Sequence, residues 1–112
     1  MSTKIYQGTS SSSSNLIYTL ERGKIYNGSQ TSSSHEIKSV SLNGLTIVDF
    51  TKVYKGKSTT SSNQILTIKD NKIYKGTYIS SSHQIAHILG DRISDSDFEK
   101  VIYLVAQKNN LF

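Results

Sequence analysis

The chain has 112 residues, with 13 Lys and Arg against 8 Asp and Glu, and it contains no Cys, Pro or Trp. This length fits one domain, and the lack of Cys excludes disulfides, thiolate metal sites and a Cys nucleophile. The longest apolar run lies in residues 101–106, far short of the roughly 18 residues that cross a bilayer. Residues 1–4 show no apolar signal-peptide segment. We therefore expect a single domain over residues 1–112 in the cytoplasm.

A short motif, Lys-Ile/Val-Tyr-x-Gly, occurs four times, beginning at Lys4, Lys24, Lys52 and Lys72. Each copy is followed by a Ser/Thr tract, then Asn or His, and then two aliphatic residues spaced three apart. Residues 4–50 also align without a gap on residues 52–98, and 20 of the 47 aligned pairs are identical. The sequence therefore predicts two copies of a 48-residue module, each with two 20-residue units and a short tail.

Each unit predicts two β-strands. In the first strand, Lys-Ile-Tyr, strand alternation places Ile on one face and Lys and Tyr on the other. Turn residues such as Arg22-Gly23 and Asp70-Asn71 separate the units and accept positive φ. In the second strand the recurrent aliphatic residues, for example Ile17 and Leu20, are three apart, whereas a flat strand requires two or four. We therefore expect a bulge or a bend between them.

The second copy ends in a predicted helix over about residues 95–107. Ser94 is suited to the N-cap, and Ile93 and Phe98 to a hydrophobic staple across it. Apolar residues then follow with the spacing of one helical face, at Phe98, Val101, Ile102 and Val105.

Two mainly β architectures satisfy this pattern. In a β-solenoid each unit would form one coil, and the Ser clusters would stack from coil to coil. In a hairpin meander the units would lie side by side in one curved sheet, and the Ser clusters would be connecting loops. In either case we expect the C-terminal helix to close the exposed end of the array, because an uncapped end invites edge pairing.

The units resemble tandem Lys-Ile-Tyr-x-Gly repeats, each followed by a Ser-rich stretch and a pair of Ile, of small uncharacterised bacterial proteins that end in a Thr/Ser-capped helix. The resemblance covers residues 4 to about 107. It implies a bacterial origin, and it transfers no activity to this chain.

The sequence gives little support for catalysis. His35 and His83 occupy the positions of Asn15 and Asn63, which favours turn or cap residues that bond the local backbone. His83 and His87 are four residues apart, but on a strand this spacing does not bring two metal ligands together. The Ser residues belong to repeated clusters, and no Gly-x-Ser-x-Gly elbow is present. We therefore expect a protein that is not an enzyme and that has no metal or other cofactor.

The candidate binding surface is the outward row of Lys and Tyr side chains on the repeated strands, where cations would flank aromatic rings. The positive charge concentrates in residues 52–75, which hold six Lys and one acid. We therefore predict the partner-binding residues Lys52, Tyr54, Lys55, Lys57, Lys72, Tyr74 and Lys75. Alternatively, neighbouring Tyr and Lys side chains only stabilise adjacent strands, each pair contributing about 0.2–1 kcal/mol.

These observations favour a non-catalytic protein-interaction module, because repeat faces are rigid and easily diversified. One form is a bacterial toxin-neutralising immunity protein, although the net charge of +5 argues against covering the basic active site of a nuclease. The alternative is single-stranded nucleic-acid binding through the Lys/Tyr face, against which the modest charge and the 8 acids count. A flat ice-binding or surface array is disfavoured because the Ser tracts vary between units. The identity of a partner and the oligomeric state do not follow from the sequence.

Overall fold

The computed structural model describes residues 2–111, and in this range it contains nine β-strands and one α-helix. The strands are β1 (Ser2–Gln7), β2 (Leu16–Glu21), β3 (Lys24–Asn27), β4 (Glu36–Ile37), β5 (Leu45–Val48), β6 (Lys52–Lys55), β7 (Gln64–Lys69), β8 (Lys72–Lys75) and β9 (Gln84–Gly90). The helix, α1, spans Asp95–Lys108. Short 3-10 turns precede β2, β4, β7 and β9, at Ser13–Asn15, Ser33–His35, Ser61–Asn63 and Ser81–His83. The prediction of a mainly β chain with a C-terminal helix is confirmed.

All nine strands form one open antiparallel sheet in the order β4-β3-β2-β1-β9-β8-β7-β6-β5. The Lys-Ile/Val-Tyr strands β3, β1, β8 and β6 alternate with the second strands of the units across the sheet. Because β1 pairs with both β2 and β9, the first and last described strands lie side by side at its centre. The solenoid alternative is wrong, because stacked coils pair their strands in parallel. The Ser clusters are connecting loops.

The sheet curves around α1. Its edge strands β4 and β5 are joined by residues 38–44, and the chain from Ile37 to Leu45 spans at most about 29 Å. A flat sheet of nine strands would hold these edges roughly 38 Å apart, so the linker requires curvature. Six consecutive helix residues, Val101–Ala106, are buried, which shows that this part of the helix is covered on all sides. The prediction that the helix closes one end of an array is wrong, because α1 lies against one face of the sheet.

The start of α1 is capped as predicted. Ser94 Oγ accepts a hydrogen bond from the backbone N–H of Asp97 at 3.2 Å. Ile93 and Phe98 are both partly buried against the core. The Phe98 ring also stacks on Phe50, with the ring centroids 5.5 Å apart and the planes 10° from parallel. Phe50 and Phe98 are aligned residues of segments 4–50 and 52–98, so the two segments meet at this point.

Two polar contacts fix α1 against the sheet. The Tyr103 hydroxyl donates to the carbonyl of Leu45 in β5 at 3.1 Å. At the C-terminal end of the helix, Gln7 Nε2 in β1 donates to Asn109 Oδ1 at 2.9 Å. The helix is therefore held by an edge strand and by a central strand.

The core lies between α1 and the concave face of the sheet. The strand registers place the motif's aliphatic residue on this face in all four Lys-Ile/Val-Tyr strands. Ile25 is 3% exposed and Ile73 is 0% exposed, which confirms that they are core residues. Tyr18 also points into this layer, and burial raises the pKa of its phenol above the ordinary value of 10.0. The phenol therefore stays neutral at physiological pH.

We predict that Ile73→Ala lowers the free energy of unfolding by about 2–5 kcal/mol, because it leaves a cavity in a fully buried part of the core. Its neighbour Lys72 is exposed, and Lys72→Ala is the matched control, with an expected change within about 0.5 kcal/mol. Chemical denaturation measures both. A loss below about 0.5 kcal/mol for Ile73→Ala would show that the two faces of β8 are assigned the wrong way round.

Deleting residues 95–112 removes the helix that fills the concave face. Side chains of the core such as Ile5, Val53 and Leu66 would then face water. We expect the truncated chain to aggregate or to form oligomers, because exposed apolar patches of this kind associate. Size-exclusion chromatography measures the outcome, and a monomeric truncation with an unchanged melting temperature would contradict it.

Candidate functional site

A β-bulge recurs in the second strand of three units. The register with the hairpin partner shifts at the same place in each, so that Ile17 in β2, Ile65 in β7 and Ile85 in β9 have no residue opposite them. The bulge expected in this strand is therefore present, and it lies at Ile17 itself, between Leu16 and Tyr18. The register of β2 with β3, on its other side, is regular, and there the carbonyl of the bulged Ile17 faces β3.

That carbonyl binds the glycine of the next Lys-Ile/Val-Tyr-x-Gly motif. The N–H of Gly28 donates to the Ile17 carbonyl at 2.8 Å, and the Gly28 carbonyl accepts from Thr19 Oγ1 at 2.7 Å. Gly28 has a φ of +75°, a conformation that a side chain would strain. We name this pair of hydrogen bonds the glycine clamp.

The glycine clamp occurs four times. The N–H groups of Gly76 and Gly56 donate to the carbonyls of Ile65 and Gly44, respectively. The carbonyls of the same two glycines accept from Oγ1 of Thr67 and Thr46, and all four distances are 2.6–2.7 Å. At the junction of β1 and β9, the Gly8 N–H donates to the Ile85 carbonyl at 2.7 Å, and the Gly8 carbonyl accepts from His87 Nδ1 at 2.9 Å. One interaction therefore joins strands within segments 4–50 and 52–98 and also joins the two segments.

The loops after each motif end in a 3-10 turn with Asn or His at its last position. Asn15 Nδ2 donates to the Gln7 carbonyl at 2.9 Å, so it ties the turn to the preceding strand. His83 Nδ1 instead lies 2.8 Å from Ser80 Oγ in its own turn. Within residues 2–111 no group of three or more His, Cys, Asp or Glu side chains is placed to hold a metal ion.

The seven predicted partner-binding residues do not share one surface. Four of them lie on the sheet face away from α1: Lys52, Tyr54, Lys72 and Tyr74. Lys55 and Lys75 lie at the ends of their strands on the opposite face, as their pairing with Leu45 and with the buried Leu66 shows. Lys57 is in the loop after β6.

The expectation that the motif's Tyr rings are exposed is wrong. Tyr54 and Tyr74 are each 7% exposed, and the equivalent rings in β1 and β3 are 9% and 8% exposed. The loop after β1 shows one cause, because Ser11 folds back to His87 and the His87 ring stacks on Tyr6 at 5.3 Å. These rings therefore form a second packed layer and offer no open platform for stacking bases.

Sequence analysis missed two exposed apolar side chains. Tyr78 and Ile79 are 67% and 51% exposed, more than the other large apolar residues described. They lie in the loop between β8 and β9, at positions where the three equivalent loops carry only Ser, Thr or Gln. The Tyr78 ring contacts the His83 ring at 5.2 Å, which anchors it to the 3-10 turn of the same loop. The sequence does mark these two residues, because they are apolar where the equivalent positions of the other loops are polar.

Positive charge predominates at the end of the sheet where this pair lies. Residues 52–90 contain one acid, Asp70, and it lies in the β7–β8 turn at the opposite end of the strands. Because β7 pairs with β8, the loops that follow β6 and β8 are neighbours at one end of the sheet. We define the docking tip as the exposed Lys and apolar residues at this end: Lys55, Lys57, Lys75, Tyr78 and Ile79.

A cleft of about 460 Å³ lies at the other end of the sheet, beside the start of α1. Phe50, Phe98 and Ile88 form its apolar wall, and Arg92 and Asp95 also line it. Charges of both signs face this space, so its lining selects no class of ligand.

Neither a protein-family model, nor a curated protein, nor a solved structure significantly matches the chain. Within the part of the chain that the structure describes, no helix has the length and apolar character needed to cross a membrane. The functional proposal therefore depends on the geometry of the docking tip.

We predict that Thr19→Val, which keeps the side-chain shape but removes the hydroxyl, lowers stability by about 1–3 kcal/mol. Thr19 is 3% exposed, so the Gly28 carbonyl would lose its side-chain donor in a buried place. The exposed Thr59 provides the control, and Thr59→Val should leave the denaturation midpoint unchanged. Equal midpoints for the two variants would show that the glycine clamp contributes nothing to stability.

Proposed function

We propose that this chain acts by binding another protein through the docking tip. The observation that carries the proposal is the exposure of Tyr78 and Ile79 in one loop out of four that are otherwise polar. An exposed ring beside a branched aliphatic side chain fits an apolar pocket, and such anchors supply most of the energy at interfaces. The surrounding Lys side chains complement a partner with an acidic rim around that pocket.

Two observations favour a protein over a single-stranded nucleic acid. Stacking of bases needs several open rings in a row, and the rings of Tyr54 and Tyr74 are buried. Ile79, in contrast, has no aromatic face to offer a base, whereas it suits an apolar pocket. Lys55, Lys57 and Lys75 attract phosphate as well as carboxylate groups, so salt dependence is part of the test below.

The form we propose is a toxin-neutralising immunity protein of the bacterial cytoplasm. The chain is short, its strands are fixed by repeated hydrogen bonds, and its apolar anchors are confined to one loop. A positively charged tip suits a toxin whose functional surface is acidic, and it does not suit a nuclease with a basic active site.

We further propose that the sheet arose by duplication of the 48-residue module. The support is the recurrence of one hydrogen-bond pattern at equivalent residues, Gly28 with Thr19 and Gly76 with Thr67. In the tail, however, Leu45–Val48 forms β5 in the first copy, while the equivalent residues of the second copy lead into α1.

The decisive variant is Tyr78→Ser combined with Ile79→Thr, which gives this loop the residues of the equivalent loop at Ser58 and Thr59. The loop keeps residue types that this turn already accommodates, so we expect an unchanged melting temperature. We expect partner affinity to fall by at least about tenfold, because two anchors are removed. Ser58→Ala with Thr59→Ala is the matched control in the neighbouring loop, and it should bind normally.

The measurement has two stages. The wild-type chain and both double variants are used for affinity capture from cells of the source organism, with quantitative mass spectrometry. A candidate partner is a protein that the wild-type chain and the control variant capture and that the Tyr78→Ser/Ile79→Thr variant does not. Calorimetry then measures the affinity of each purified chain for this protein. Equal affinity of all three chains for the captured protein would overturn the proposal.

Fluorescence anisotropy with a labelled oligothymidine strand tests the nucleic-acid alternative. We expect Kd to be weaker than about 100 μM at physiological salt, the level of generic attraction to a cationic protein. Tighter binding, with a salt dependence that becomes shallower when Lys55, Lys57 and Lys75 are replaced by Gln, would favour nucleic acid as the ligand.

A further inference from the structure

His87 is the one exception among the side chains of the glycine clamp. At the other three clamps a Thr hydroxyl donates to the glycine carbonyl, whereas in β9 the donor to the Gly8 carbonyl is His87 Nδ1. A Thr would satisfy this carbonyl equally well. The imidazole adds a second nitrogen, Nε2, which lies 2.9 Å from Ser11 Oγ.

These contacts determine the proton positions. A backbone carbonyl only accepts hydrogen bonds, so Nδ1 of His87 carries the proton that is donated to Gly8. In the neutral ring Nε2 is then an acceptor, and the Ser11 O–H donates to it. This tautomer is the one in which a histidine acts as a base towards a serine hydroxyl.

The ring is also held in place from other directions. Tyr6 stacks on it with the planes 15° from parallel, and His87 is 7% exposed. Gln84 Nε2 donates to the Gly8 carbonyl at 3.0 Å, which fixes the group that orients the ring. Ser11, in contrast, is exposed to solvent. A buried, oriented base therefore contacts an accessible hydroxyl.

We propose that Ser11 and His87 form an acyl-transfer dyad, with Ser11 as nucleophile, His87 as general base and the Gly8 carbonyl as the group that orients the base. This chemistry goes beyond the binding function proposed above. A nucleophile, a base within hydrogen-bond reach and a third group that fixes the base are the parts of such a site. Because Ser11 is exposed and a neutral carbonyl supports the base, the substrate class we propose is a small carboxylic ester with an activated leaving group.

The reaction has two steps. Ser11 Oγ attacks the ester carbon as its proton passes to His87 Nε2. Nε2 then passes this proton to the leaving oxygen as the bond from the acyl carbon to that oxygen breaks, so that the alcohol departs and the acyl group stays on Ser11. A water molecule then attacks the acyl carbon while Nε2, again neutral, accepts its proton. The products are the free acid and a regenerated Ser11 hydroxyl. A neutral carbonyl stabilises the imidazolium less than a carboxylate does, so we expect slow turnover.

Two other Ser–His contacts serve as internal comparisons. Ser32 Oγ lies 3.0 Å from His35 Nδ1, and Ser80 Oγ lies 2.8 Å from His83 Nδ1. Both are exposed contacts within a single turn, and among the described residues no backbone carbonyl orients the second ring nitrogen. They contain the same two residue types without the arrangement found at His87.

The test uses p-nitrophenyl acetate with the full chain. We expect release of p-nitrophenolate and an acetyl group on Ser11, located by mass spectrometry of proteolytic peptides. His87→Thr restores the residue type of the other three clamps, so it keeps the fold and removes the base. We expect it, and also Ser11→Ala, to lower the rate at least about a hundredfold. Ser34→Ala, in the turn that holds His35, should react like the wild type.

Circular dichroism and the melting temperature verify the fold of each variant. If His87→Thr is unstable, Ser11→Ala still tests the proposal, because it changes only an exposed loop residue. Equal rates for the wild-type chain and Ser11→Ala would overturn the proposal. Acetyl groups found only on lysines would also overturn it. In either case His87 would be a structural replacement for Thr.

Discussion

The glycine clamp is the interaction on which the sheet depends. In each clamp a glycine at positive φ donates its N–H to a carbonyl of the neighbouring strand, and a hydroxyl or imidazole two residues further along that strand bonds the carbonyl of the same glycine. Neither strand of a pair reaches this geometry alone, because the glycine belongs to one strand and both of its partners belong to the other. This explains why glycine, the spacing of the two aliphatic residues and the Thr recur together in the sequence. Strand order is therefore specified by backbone groups as well as by apolar side chains.

The local structure was predictable, since short-range patterns encode it. The spacing of Ile17 and Leu20 predicted a bulge, Ser94 predicted the start of a helix, and strand alternation placed Ile73 in the core. The burial of Tyr54 and Tyr74 was not predictable, because alternation gives the face of a side chain but does not show which loop covers that face. The contact between Ser11 and His87 joins residues 76 apart in sequence and depends on the pairing of β1 with β9.

The Asp-Phe pairs of the two copies show how context overrides local identity. Asp49 and Phe50 both have positive φ, +52° and +53°, in the tight turn between β5 and β6. Asp97 and Phe98 lie in the first turns of α1. In the first copy β6 begins two residues after Phe50, so a helix has no room to continue. The same two residues accordingly close a hairpin in one copy and open a helix in the other, and their rings still meet.

The central pairing of β1 with β9 has a consequence for the order of events during synthesis. A nascent chain that has emerged only as far as β4 has three of its hairpin contacts, but the partner of β1 on its other side is more than 70 residues away in sequence. Until β9 appears, β1 is an open edge, and until α1 follows, the concave face is bare. Contacts this distant in sequence form slowly. Until both have emerged, the incomplete sheet therefore presents an unpaired edge and an uncovered apolar face, the two features that favour association between chains.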